Sequence, residues 1–379
     1  MRHFSKCLFV LLALMGLNCA PADPTPRVSS SSEKQADEKT TAVPTALKDR
    51  IEAAINHVRG RPLYSDLGFW TIFHGILGLG PETTMLVDPK TNDKFNAVDY
   101  ICKGNPVRGL KFFVTAHGLD VESAKLPDVP DRDVPIFVGQ GHQDQFVCEM
   151  VQWGLPADRK FVVEGKNFTF QDFINHTKAR ASVTKKQELS WAIVIIGQYF
   201  GTDITWTNLD SETVRFEDLI RYELNEPMDI AACGGTHRLF GLTWCLYLHR
   251  HSGGKLDGVW KDVAAKLEEH KFNAKKNRHA DGSFSTEYFK GPGDDPVPEA
   301  RIGTTGHILE WLSLYLSDDE LKAAWLQEAA SSLSKMILDT HLDPITGGSL
   351  YHAAHGLHLY HDRVYGDPKA KRPYPLPVQ

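Results

Sequence analysis

The sequence predicts an all-α protein, an (α/α)6 toroid of six helical hairpins with a long irregular insertion at about 105–140. Three observations predict it. Helical periodicity dominates the chain from residue 45 to 365. The helices alternate between a charged amphipathic member and a more evenly apolar one. Five of the apolar members carry a histidine close to a Gly- or hydroxyl-rich start: WTIFHGILGLG (70–80), GQGHQDQFVCEMVQW (139–153), CGGTHRLFGLTWCLYL (233–248), GTTGHILEWLSLYL (303–316) and GGSLYHAAHGLHLYH (347–361). A helix apolar on all sides has to be enclosed, whereas an amphipathic one faces water on one side. Six enclosed helices surrounded by six amphipathic ones describe a ring of hairpins.

The pairs follow in order. TALKDRIEAAINHVRG (45–60) begins on a Thr read as an N-cap and lines up Leu47, Ile51, Ala54, Ile55 and Val58, and 66–79 is its apolar partner. FNAVDYICKG (95–104) precedes 142–153, and FTFQDFINHTKAR (168–180) precedes 188–200. TVRFEDLIRYELN (213–225) precedes 236–250, and 258–276 precedes 304–317. The last amphipathic helix, 317–341, precedes 349–365. The stretch 105–140 is rich in Pro, Asp and Val, and a connection that long is usually functional. Within it GLKFFVTAH (109–117) reads as strand, and the segment is expected to cover one mouth of the ring.

Arg2, His3 and Lys6 before the apolar CLFVLLALMGL (7–17) read as a signal peptide, with cleavage expected after Ala22 and lipidation at Cys19 as the alternative. Residues 23–46 have almost nothing apolar and read as a disordered tether. A single domain is expected over 47–366, with an unpacked Pro-rich tail at 367–379. The expected location is therefore the periplasm or cell envelope, with a glycan or an envelope component as partner. A net charge of −6 argues against a nucleic-acid partner, and no other apolar run reaches membrane-spanning length. Cys102, Cys148, Cys233 and Cys245 show no C-x-x-C spacing, so no structural zinc module is expected. A disulfide at Cys102 or Cys233 is left open by spacing.

The histidines carry the expected chemistry. Where inner helices begin, free N–H groups and the positive dipole end favour polar and anionic ligands. Residues placed at that mouth are His74, His142, Asp144, Gln145 and Arg238 for binding, and His237, His307, Glu310 and His355 for acid–base work, since a carboxylate can orient an imidazole. On the last helix Tyr351, His355, His358 and Asp362 share a face, with Tyr351 a candidate base and His358 a binding residue; His352 and His361 are expected to point elsewhere. The H-x-x-H pair there is weak evidence for a metal, and neither a metal nor a cofactor is expected. CGGTHR (233–238) is a candidate anion loop with Arg238 as the charged partner.

Two likenesses follow from these motifs. DGSF (281–284) together with TTGHILEWLSLYL (304–316) resembles the repeat style of terpenoid-cyclase and prenyltransferase toroids, and GHILEW (306–311) resembles the G-H-x-x-E-W element of sugar 2-epimerases on six-hairpin, glycosidase-like barrels. Both imply the fold. The cyclase D-x-D-D acid motif is missing, and His355 is followed by Gly-Leu where the epimerase pattern has H-N-x-R. The expected function is a non-catalytic glycan- or partner-binding envelope protein. The alternative is a carbohydrate-active hydrolase, lyase or epimerase, with Asp144 or Glu149 opposite Glu310 in the hydrolase case.

Overall fold

The computed structural model describes residues 44–88, 90–121, 142–185, 187–228 and 231–377. The expected signal peptide, Cys19, the tether up to residue 43 and residues 122–140 of the irregular insertion lie outside the described residues. Twelve α-helices and eight short strands are found among those described, so the chain is mainly α. No described helix is long and apolar enough to cross a membrane.

The odd-numbered helices are α1 (Thr45–Arg59), α3 (Ala97–Cys102), α5 (Phe170–Arg180), α7 (Phe216–Asn225), α9 (Gly258–Lys276) and α11 (Ala324–Asp339). The even-numbered ones are α2 (Phe69–Leu79), α4 (Gln145–Gln152), α6 (Ser190–Phe200), α8 (Thr236–His251), α10 (Pro298–Tyr315) and α12 (Gly347–Tyr365). The even helices touch in cyclic order, α2 to α4, α6, α8, α10, α12 and back to α2. Each odd helix packs against one or two of them. Burial follows the difference in composition. In α4 and α10 nearly every residue is buried, whereas α9 buries only Val259, Trp260, Val263, Leu267, His270 and Ala274.

The most extensive crossing joins α10 to α12, and small residues make it. A Cβ on Gly306 would stand 2.5 Å from the Ala353 Cα, and one on Gly356 would stand 2.9 Å from the Gly306 carbonyl oxygen. On the other flank of α12, a Cβ on Gly78 of α2 would stand 2.6 Å from the Tyr351 carbonyl oxygen. These contacts leave no room for a side chain and set the depth at which α12 sits.

The strands form four antiparallel hairpins: β1 (Thr84–Leu86) with β2 (Lys94–Asn96), β3 (Phe112–Thr115) with β4 (Gly118–Val121), β5 (Lys160–Val163) with β6 (Lys166–Thr169), and β7 (Thr205–Thr207) with β8 (Thr213–Arg215). The β3–β4 pair contains the strand read from 109–117. The other three each run straight into an odd helix, so the sequence-read helices at 95–104 and 213–225 are a strand followed by a shorter helix. The three entries repeat one pattern: KFNAVDYI (94–101), NFTFQDFI (167–174) and TVRFEDLI (213–220). The Asp carboxylate at the third helical position serves two of these starts, and Asn96 caps the other. Asn96 accepts from the Asp99 N–H, Asp172 accepts from the Thr169 N–H, and Asp218 accepts from Arg215.

Further boundaries differ from the sequence reading. Thr45 is the first residue of α1, not its cap, which is Pro44. The helix read as 317–341 begins with a separate 3-10 turn at Glu320–Lys322. In the tail, Arg372, Tyr374 and Leu376 make contacts with the helices. Arg372 and Tyr374 hydrogen-bond to Asp362, and Leu376 O lies 2.8 Å from His251 Nε2. All four described cysteines are free thiols.

Candidate functional site

One pocket of about 650 Å³ opens between α2, α4, α8, α10 and α12. Its lining includes Trp70 and His74 from α2, His142 and Gln145 at α4, Cys233 and His237 at α8, Gly303, Thr304 and His307 from α10, and Gly348, Ser349 and His352 from α12. Tyr288 and Glu299 complete the wall. Five imidazoles run through it in unbroken contact. Ring centroids lie 5.1 Å apart for His74 and His352, 4.2 Å for His352 and His307, 5.5 Å for His307 and His237, and 5.3 Å for His237 and His142. Trp191 of α6, the even helix without a histidine here, packs its ring 4.7 Å from that of His237 at a tilt of 47°.

The imidazoles fall into three kinds: bonded to a backbone carbonyl, bonded to a carboxylate, or unpartnered. His74 Nδ1 donates to the Trp70 carbonyl at 2.8 Å, which leaves Nε2 to accept from the Gln145 amide at 3.2 Å. His307 Nδ1 donates to the Gly303 carbonyl at 2.7 Å, and its buried Nε2 has no partner. His352 Nδ1 lies 2.9 Å from Glu310 Oε2, and His355 Nδ1 2.5 Å from Glu310 Oε1. His142 Nδ1 lies 2.6 Å from Glu188 Oε2. His237 has no hydrogen bond at either ring nitrogen.

The electrostatics follow from burial. Desolvation pushes His74 and His237 well below the usual imidazole range and His307 down to about 3, so these three are neutral. Burial would push the Glu310 carboxyl up, but the two imidazoles on its oxygens outweigh that and hold it well down. Glu149, 3.7 Å from His74 Nδ1, is pushed well up by burial and by the charge on Glu310. Burial also pushes the Cys233 thiol up to about 12. Cys233, Gly234 and Gly235 occupy three successive left-handed conformations before α8 begins. A Cβ on Gly234 would stand 2.1 Å from the Tyr288 ring, so that glycine lets the loop lie against the pocket wall.

The structure brings His74, His142, Gln145, His237 and His307 to the pocket, with Glu310 behind it. It puts other candidates elsewhere. The Asp144 carboxylate is taken by Arg180 at 2.5 Å and Thr177 at 2.8 Å. Arg238 pairs with Glu223 at 2.9 Å and donates to the Pro227 carbonyl. Glu223 also accepts from Leu189 N and Ser190 Oγ at the start of α6, so Arg238 belongs to a helix-end lock and not to an anion cradle. His358 is bonded to the Gly78 carbonyl and lines a separate cleft with Glu52 and Arg59. Tyr351 is buried with its backbone against Gly78, outside the pocket lining. His355 supports Glu310 from behind. His352, expected to point away, is a pocket residue. Trp70, Glu188, Cys233 and Tyr288 were not among the candidates; Trp70 and Cys233 each open a motif singled out by the sequence, WTIFHGILGLG and CGGTHR.

A larger cavity of about 680 Å³ lies between the end of α1 and the β1–β2 hairpin. Its lining contains no histidine, and its cations are Arg59 at the end of α1, Arg61 just beyond it and Lys94 at the start of β2.

Comparison with protein-family models, curated proteins and solved structures returns no match.

Proposed function

We propose that this protein is an acid–base enzyme that moves a proton on a small carbohydrate-like substrate, by epimerisation or elimination, in the pocket of an (α/α)6 toroid. The observation that carries the reading is the pair of imidazole–carboxylate dyads, His352–Glu310 and His142–Glu188, lining one pocket at 2.9 Å and 2.6 Å. A carboxylate on Nδ1 fixes the tautomer and leaves Nε2 to take or return a proton. Two such groups on different helices supply a base and an acid to one bound molecule. The Trp70 indole offers a flat apolar face to a sugar ring, and the neutral imidazoles between the dyads offer hydrogen bonds without net charge.

Proton transfer fits better than two-carboxylate hydrolysis. Glu310 and Glu188 are occupied by imidazoles, burial pushes the Glu149 carboxyl well up, and Glu299 accepts from Thr346 Oγ1 at 2.5 Å. Export to the cell envelope, as the leader implies, would put the substrate among extracytoplasmic sugars. The test is solvent-deuterium exchange. Wild-type protein is incubated in heavy water with a panel of aldoses, ketoses and uronates, and proton NMR follows loss of the carbon-bound signal. His352→Ala and His142→Ala are each expected to lower exchange by about 10²–10⁴-fold. Binding with no exchange or turnover across the panel would instead support a glycan-binding envelope protein.

A further inference from the structure

We propose that Cys233, His237 and His307 form a site for a borderline transition-metal ion, zinc foremost, on the wall of the pocket. The ligand atoms of these three residues lie within 4.8 Å of one another, close enough for one ion to reach all three with small side-chain adjustments. This site is separate from the two dyads and goes beyond the proton-transfer reading.

Four features point to it. First, His237 is buried with both ring nitrogens unpartnered. Leaving a buried donor or acceptor unsatisfied costs roughly 1–3 kcal/mol, so a side chain with two such atoms is incomplete without a ligand. Second, His307 is oriented as a ligand. Its Nδ1–H is fixed on the Gly303 carbonyl, and the lone pair of its buried Nε2 meets no donor. A metal-bound imidazole nearly always holds its second nitrogen this way. Third, the thiol is delivered by backbone strain. Cys233 sits at φ 50°, ψ 40°, a left-handed conformation that costs a non-glycine residue of order 1 kcal/mol or more. The loop is held there by the Thr236 hydroxyl donating to the Cys233 carbonyl at 2.8 Å. Fourth, the donor set is one thiolate and two imidazoles. That combination suits zinc, and three protein ligands leave a coordination position for a water or a substrate oxygen facing the pocket.

A neighbouring group, His142, Glu188 and His237, has comparable spacing. There the His142 Nδ1 and the Glu188 carboxylate already satisfy each other, so that pair orients His142 and leaves His237 to the cysteine side. An ion on Cys233, His237 and His307 would sit beside His352, whose ring is 4.2 Å from that of His307. There it could polarise an oxygen of a molecule whose proton the dyads handle.

Cobalt(II) is the probe. Full-length protein is stripped with a chelator, titrated with cobalt chloride and read by absorption. The expected result is binding saturating at one equivalent, a thiolate-to-cobalt charge-transfer band in the near ultraviolet, and visible bands of tetrahedral intensity. Zinc should displace the cobalt. Cys233→Ser should abolish the charge-transfer band, and His237→Ala and His307→Ala should each weaken binding at least about tenfold. Circular dichroism confirms that each variant is folded. His352→Ala should keep the cobalt spectrum, so loss of exchange in that variant with the spectrum intact tests proton transfer alone. No saturable cobalt binding, or a charge-transfer band that survives in Cys233→Ser, would overturn the site.

Discussion

The two walls of the pocket are built on opposite terms. On the α10–α12 wall, each imidazole has a named Nδ1 acceptor: the Gly303 carbonyl for His307, and the two Glu310 oxygens for His352 and His355. The helices beneath are in near-backbone contact through Gly306, Ala353 and Gly356. On the α8 wall, the loop is left-handed for three residues, and His237 hydrogen-bonds to nothing. One wall fixes each of these imidazoles through Nδ1 and leaves the His307 Nε2 open. The other holds strain and unmet hydrogen bonds, which are tolerated where a ligand supplies the missing interactions. The contrast separates the part of the pocket that sets geometry from the part that binds.

If the α10–α12 wall sets geometry, damage to its contact should be the largest effect. Gly306→Leu forces a branched side chain into the Ala353 backbone, and we expect a loss of about 3 kcal/mol or more, read by urea unfolding followed by circular dichroism. A stable Gly306→Leu protein would mean that the helices can separate and that the wall is not rigid. Next comes Glu310→Ala. It strips both imidazoles of their acceptor, and exchange should fall by about 10²–10⁴-fold even where the fold survives. The cobalt spectrum should be retained, because Glu310 touches neither Cys233 nor His237.

Much of this architecture is legible in the sequence because it rests on periodicity. Stripes such as Leu47, Ile51, Ala54, Ile55 and Val58 name an outward helix, and the all-round apolar 188–200 names an enclosed one. The orientation of the enclosed helices is not legible for the same reason. When every side of α12 is buried, spacing cannot say which stripe faces the pocket. The row Tyr351, His355, His358 and Asp362 therefore looked inward, while the structure turns His352 inward and puts His355 behind Glu310. The three-residue strands before α3 and α7 were absorbed into helices, since so short a strand has no readable alternation. Their shared x-φ-x-[AF]-x-D-φ-I pattern, visible across 94–101, 167–174 and 213–220, was the signal that could have separated them. Glu188 and Tyr288 come from connections, where the site depends on chain path and not on period.

The α8 wall allows a sharper test of smaller size. In metal-stripped protein, His237→Phe replaces two unpartnered nitrogens with apolar ring and should stabilise by about 1–2 kcal/mol in thermal or urea unfolding. With zinc in excess the order should reverse, because wild type gains binding energy that the variant cannot. A destabilised His237→Phe in the stripped protein would show that the imidazole is satisfied in solution and would remove the contrast between the walls.

The smallest effect lies outside the pocket, in a network tied to stability. Asp120, at the end of β4, accepts from Arg180 at 2.7 Å and from Val121 N at 2.8 Å, and lies 3.2 Å from His176 Nε2. Burial raises its carboxyl, but the hydrogen bond to His176, the Arg180 charge and the backbone N–H outweigh that and hold it below the usual range. A depressed native value means that ionised Asp120 adds stability above the ordinary carboxylate range. That stability is lost as pH falls through the native value. Asp120→Asn should therefore cost about 1–2 kcal/mol at neutral pH and progressively less below about pH 4, measured by urea midpoints across the range. Glu310→Ala differs in kind, since it removes catalysis along with any stability. An Asp120→Asn variant that lost exchange without losing stability would join this network to the chemistry and erase the boundary drawn between the pocket wall and the scaffold behind it.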